Sequence, residues 1–130
     1  MLDHVSITVS DMAAAERFYD AVMAALGVVK VGGDSRWLGY GERCSAVHPG
    51  RSYLSIRLGA RPDPAEGRHW CFKAPSRGAV DAFWRAGLDQ GGSDDGPPGL
   101  RTHYHADYYA AFLRDPDGNR VEAVWHRGAA

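Results

Sequence analysis

No stretch of this chain is apolar for the ~20 residues that a membrane-spanning helix needs. Its opening, MLDHVSITV, carries neither the basic leader nor the apolar segment of a secretory signal. Cysteine is scarce: Cys44 and Cys71 are the only two, too few for a disulfide framework. Charge of one sign is missing too, since 15 basic and 16 acidic residues leave a net charge of −1 with no long run of either. A chain so balanced has no electrostatic footprint for nucleic acid or an anionic membrane. These absences lead to the expectation of a cytoplasmic protein with reduced thiols, whose partner is a small molecule.

What is present is enough for one compact core. The 130 residues are 45% hydrophobic, which predicts a single domain over 1–130. The most informative stretch is Tyr108 to His126, YYAAFLRDPDGNRVEAVWH, in which two β-like runs flank Asp-Pro-Asp-Gly. Pro116 presets φ for a turn and Gly118 supplies the positive φ that closes it, so a hairpin is expected. In the second run Val121, Ala123 and Trp125 share one face while Glu122, Val124 and His126 share the other. A carboxylate in the middle of such a strand costs several kcal/mol, as an order of magnitude, unless it is paired or bound to a metal.

A repeat organises the rest. Leu2 to Val9 alternates as a strand, Asp11 caps a helix carrying Ala15, Phe18, Tyr19, Val22, Met23 and Leu26, and Gly27 ends it. Val28 to Leu58 reads as three short meandering strands. After the Pro/Gly-rich segment GARPDPAEG the pattern restarts: His69, Ser76 and Phe83 each lie 65 positions beyond His4, Asp11 and Phe18. Module one is therefore 1–58, a linker 59–67, and module two 68–130. Within module two, Gly91 to Gly99 reads as a mobile loop, Leu100 to Tyr104 and Tyr109 to Leu113 as strands. The expected fold class is α+β: two paired βαβββ modules forming a curled mixed sheet around a cavity, with the helices outside.

Strand parity places His4, His69 and Glu122 on the faces away from the helices. Two imidazoles and a carboxylate suit a divalent ion (Zn, Ni, Fe or Mn) with positions left for water or substrate. The alternative is equally physical: each histidine is a satisfied, partly buried residue and Glu122 pairs with an arginine, Arg57 being the candidate because it lies 65 positions earlier. By the same parity Arg57 and Lys73 line the cavity wall and favour a substrate with a carboxylate or phosphonate. Tyr104, His105 and Tyr109 are candidate substrate contacts near its mouth. Trp37, Tyr40, Tyr53 and Trp70 read as core or dimer packing, and Cys71 as a small buried hydrophobe.

LDHVSITVSDMAAAERFYDAVMAALG, the restart RHWCFKA, and YYAAFLRDPDGNRVEAVWH together resemble the vicinal oxygen chelate superfamily, which includes glyoxalase I, fosfomycin-resistance thiol transferases, extradiol dioxygenases and bleomycin-binding proteins. The resemblance implies paired βαβββ modules, usually a homodimer, and a metal held by His4, His69 and Glu122, the last also catalytic. It differs in one respect: glyoxalase I enzymes have a fourth ligand, Glu or Gln, late in module one, where this chain offers Ser55 or Arg57. The implied function is a metal-dependent lyase, isomerase or thiol transferase acting on a small oxygen-rich substrate. The second reading is a metal-free small-molecule or drug-binding protein of the bleomycin-resistance type.

Overall fold

The computed structural model describes residues 1–63 and 67–126. Part of the expected linker, and the end of module two, lie outside the described residues. The elements run β1 (His4–Val9), α1 (Met12–Ala25), β2 (Lys30–Gly33), β3 (Trp37–Gly41), β4 (Tyr53–Leu58), then β5 (Trp70–Lys73), α2 (Arg77–Asp89), β6 (Ser93–Leu100), β7 (Tyr109–Arg114) and β8 (Arg120–Trp125). They form two four-stranded mixed sheets, ordered β1-β4-β3-β2 and β5-β8-β7-β6. In each, the first strand is parallel to the last and the helix makes the crossover. Each module is the expected βαβββ unit.

Both helices start where a side chain can replace the missing backbone partner: Asp11 accepts from the Ala14 N–H and Ser76 from the Ala79 N–H. On α1, Ala15, Phe18, Tyr19, Val22 and Met23 are buried. They share one core with Ile7, Val9, Leu38, Leu54 and Ile56 of sheet one and with Val80, Phe83, Leu113, Val121 and Ala123 of module two. The two helices therefore pack on each other as well as on their sheets. Gly87 shows how closely: a Cβ there would collide with Leu113 and meet Phe18 at 3.1 Å. A glycine inside a helix costs about 1 kcal/mol relative to alanine, and here it lets α1, α2 and β7 meet.

The expected Gly91–Gly99 loop is instead β6, Ser93–Leu100, and a turn falls at 102–104 where a strand was expected. Position in the sheet explains the difference. β6 is an edge strand, where Pro97 and Pro98 sacrifice no ladder bond on the open side, and its register slips twice, between Asp94 and Gly96 and between Gly96 and Gly99.

The Asp-Pro-Asp-Gly-Asn turn between β7 and β8 does more than reverse the chain. The Asp115 carboxylate accepts from the Tyr19 hydroxyl at 2.6 Å and from the Asp117 and Asn119 N–H groups. Asp117 accepts from the Ser10 N–H and hydroxyl, and Asn119 donates to the Thr8 carbonyl. All three residues are buried, so the turn clasps module two to β1 and α1. Burial raises the Asp115 carboxyl above its ordinary value even though these donors pull it down.

Candidate functional site

Glu122 lies on the face of β8 opposite α2 and is only 2% exposed. Its two oxygens are separately held. Oε2 accepts from the Tyr108 hydroxyl at 2.5 Å, and Oε1 accepts from Nε2 of His69 at 3.1 Å. Burial, then the hydrogen bond to Glu122, keep the Tyr108 phenol protonated far above its usual range. Across the β5–β8 ladder Glu122 is level with Cys71. Cys71 is not the buried hydrophobe expected from the sequence: odd positions of β5 face away from α2, and the residue is exposed. Crowding around the sulfur, then the Glu122 charge, raise its thiol well above the ordinary value, so it is a neutral thiol at pH 7.

A second layer of rings surrounds Tyr108. Tyr104, His105 and His126 lie with ring centroids 4.8, 5.5 and 5.3 Å from it. Nδ1 of His105 accepts from the Asp107 N–H at 3.1 Å, which assigns its proton to Nε2, and that nitrogen donates to Nδ1 of His126 at 2.8 Å. His105 and Tyr104 thus stand beside the Glu122 group. Tyr109 does not: its hydroxyl donates to Asp81 of α2 and its ring lies under the Arg77 guanidinium, on the helix side of the sheet. Adjacent strand residues point to opposite faces, and Tyr108 is the one that shares parity with Ala110 and Phe112, which are level with Val124 and Glu122. Parity separates the two tyrosines, and the β7–β8 register assigns Tyr108 to the Glu122 face; His126 shares that face by parity within its own strand.

His4 belongs to the other module. Its Nδ1 bonds Asp3 Oδ1 at 2.7 Å, leaving Nε2 free. Among the described residues no three His, Cys, Asp or Glu side chains are grouped to hold a metal ion, so His69 and Glu122 are brought together and His4 is apart from them within one chain. Arg57 and Lys73 are both exposed on the open faces, Arg57 level with Thr8 and Trp37, Lys73 level with Val124. Arg57 is not among Glu122's hydrogen-bond partners. The equal spacing of 65 is also not an equivalence: Cys71, the counterpart of Ser6, pairs with Glu122, while Ser6 pairs with Ser55. The last strand of module two is offset by two residues relative to its sequence repeat, because the meander lengths differ. Ser55 is therefore the module-one counterpart of Glu122.

A family model for the glyoxalase/bleomycin resistance protein/dioxygenase superfamily matches residues 1–123. The chain belongs to that superfamily. A solved glyoxalase/bleomycin resistance protein from Albidiferax ferrireducens is 30% identical, with a TM-score of 0.79 over 97% of this chain and 98% of that one. Two more distant structures share the fold. A glyoxalase/bleomycin resistance protein/dioxygenase family enzyme from Burkholderia phytofirmans is 19% identical, with a TM-score of 0.70 over 95% and 97% of the two chains. A fosfomycin resistance protein from Listeria monocytogenes is 16% identical, with a TM-score of 0.68 over 99% and 93%. No curated protein matches the chain. The vicinal oxygen chelate resemblance is thus membership, and with it come the paired βαβββ modules. No helix among the described residues is long and apolar enough to cross a membrane.

Proposed function

We propose that this protein is a metal-dependent enzyme of the vicinal oxygen chelate type, acting on a small oxygen-rich substrate as a lyase, isomerase or thiol transferase. The observation that carries the reading is Glu122: a carboxylate 2% exposed, on the sheet face away from the helices, whose polar neighbours are a histidine and a tyrosine rather than an arginine. A buried carboxylate with no fixed cation beside it is a candidate binding group. His69 and Glu122 would hold a divalent ion (Zn, Ni, Fe or Mn), with His4 supplied by a second copy of the chain in a homodimer. Asp3 supports the role of His4, since a carboxylate on Nδ1 fixes the ring and presents Nε2, the usual arrangement behind a ligating imidazole. When bound, the ion would polarise vicinal substrate oxygens.

The chain's own groups do the rest. Glu122, freed from Tyr108 and His69 as substrate enters, is the candidate base. Tyr108, protonated throughout the physiological range, donates to whichever oxygen replaces the carboxylate. His105 donates to His126, which places a hydrogen-bonded imidazole pair at the solvent side. The free thiols support a cytoplasmic setting. Ser55 in place of a fourth ligand favours the second reading, a metal-free binder of the bleomycin-resistance type. Elemental analysis of protein purified without chelator, then titrated with Zn²⁺, Ni²⁺, Fe²⁺ and Mn²⁺, separates them. About one ion per chain, lost in Glu122→Gln with the fold intact, is expected. A folded protein that takes up none of the four would leave the binder.

A further inference from the structure

The face of module one away from α1 holds a row of small residues that runs straight across the sheet. Gly32, Gly39, Ser55 and Ser6 are consecutive partners on β2, β3, β4 and β1. Two large side chains lie over this row. A Cβ on Gly39 would collide with the Tyr53 hydroxyl and come within 2.6 Å of the indole carbon Cζ2 of Trp37, and one on Gly32 would sit 3.0 Å from Cη2 of the same ring. The indole therefore spans the glycines, with the phenol beside it. The three polar atoms gathered here, Trp37 Nε1, the Tyr53 hydroxyl and the Ser55 hydroxyl, are buried and have no hydrogen-bond partner among the described residues. Tyr53 is 4% and Ser55 1% exposed.

Buried donors without acceptors are rare because each forfeits its bonds to water. Three converging on one row, on the sheet face where the core does not need them, mark a place built to receive an acceptor. Two guanidiniums lie near: Arg43 sits 4.1 Å over the Tyr53 ring, within reach of the exposed Asp3 carboxylate whose pKa it helps to lower, and Arg57 is level with Trp37 on the same face. No carboxylate occupies the row or its neighbour Thr8–Arg57–Trp37. We propose that this row is a carboxylate subsite, closed by the Trp37 indole in the free protein and opened by its rotation. A small carboxylate with an adjacent oxygen then accepts from Tyr53 and Ser55, while Arg57 and Arg43 neutralise its charge. The inference rests on the small-molecule reading above and names its substrate class, but it needs no metal.

The test uses the full-length protein with lactate, and lactamide as its neutral counterpart. The indole N–H resonance of Trp37, assigned with Trp37→Phe, is followed by NMR in the wild type and in Tyr53→Phe and Ser55→Ala. Lactate should shift the signal and lactamide should not. Tyr53→Phe and Ser55→Ala should each weaken lactate about tenfold without lowering the melting temperature, since each deletes an unpaired hydroxyl. No response to lactate, equal responses to both compounds, or loss of melting temperature in Tyr53→Phe and Ser55→Ala with lactate binding unchanged would each overturn the subsite. Metal uptake without the lactate shift removes this inference and leaves the enzyme reading. The shift without metal uptake does the reverse.

Discussion

The two modules present one row of four strand positions on their open faces and fill it in opposite ways. Module two has Cys71, Glu122, Phe112 and Gly96; module one has Ser6, Ser55, Gly39 and Gly32. In the first row the buried group is charged and both its oxygens are hydrogen-bonded. In the second the buried groups are neutral and unpaired. Duplication of a βαβββ unit thus determines where a side chain points, while the chemistry depends on which of two equivalent positions carries the carboxylate. Under the two proposals above, the satisfied row would hold a cation and the unsatisfied one would accept an anion.

The strongest way to break this asymmetry is to give module one the carboxylate it lacks. Ser55→Glu forces a larger, charged side chain into a position 1% exposed, under the Trp37 indole and the Tyr53 phenol that already fill the row. In chelator the variant should lose about 3 kcal/mol, the upper end of the cost of forcing extra atoms into a packed site. Added Zn²⁺ or Ni²⁺ should return part of that loss by binding only the folded state. Urea denaturation in chelator and in metal checks both halves. Unchanged stability in chelator would mean that position 55 is open to water and not equivalent to Glu122.

A gentler comparison deletes one hydroxyl from each row. Tyr108→Phe removes the donor to Oε2 of Glu122 and should cost about 1–3 kcal/mol, the penalty for orphaning a buried acceptor, more so for a charged one. Tyr53→Phe removes a hydroxyl with no partner and should change stability by less than about 0.5 kcal/mol, or raise it. The same chemical change on equivalent faces then has different signs. Thermal denaturation of the two variants side by side decides it; equal losses would show that Tyr53 is paired in solution.

Much of this architecture was readable from residue order. Alternation in β1 and β8, the caps Asp11 and Ser76, and the repeat from His4 to His69 placed both modules and the open faces. What escaped reading has physical causes. Counting positions cannot follow a sheet whose meanders differ in length, so Arg57 looked like the counterpart of Glu122 when Ser55 is. A Ser-Asp-Asp-Gly-Pro-Pro-Gly run has no strand propensity, and only its edge position lets it pair. The clasp made by Asp115, Asp117 and Asn119 looked like turn chemistry, because contact with Ser10 and Thr8 is more than a hundred positions away. Tyr108 and Tyr109 are neighbours in sequence, and which of them reaches Glu122 depends on the register of β7.

The smallest expected effect is the most local, and it concerns Cys71. Its thiol is raised first by the atoms packed around the sulfur and next by the Glu122 charge, while a hydrogen bond with Tyr108 lowers it. Raising a thiol pKa favours the protonated form, so at neutral pH little thiolate is available and alkylation is slow, although the position is reachable from solvent. Glu122→Gln removes the charge and leaves the packing. The Cys71 pKa should fall, and its iodoacetamide rate at pH 7.5 should rise several-fold, at most about tenfold for a shift of one unit. Cys44 serves as the internal control, since its thiol is raised chiefly through Asp3 in the other module. Mass spectrometry of the two peptides over pH 6–10 reads both thiols in one experiment. A Cys71 profile unmoved by Glu122→Gln would mean that packing alone holds the proton, and that the charge of Glu122 is already neutralised by His69.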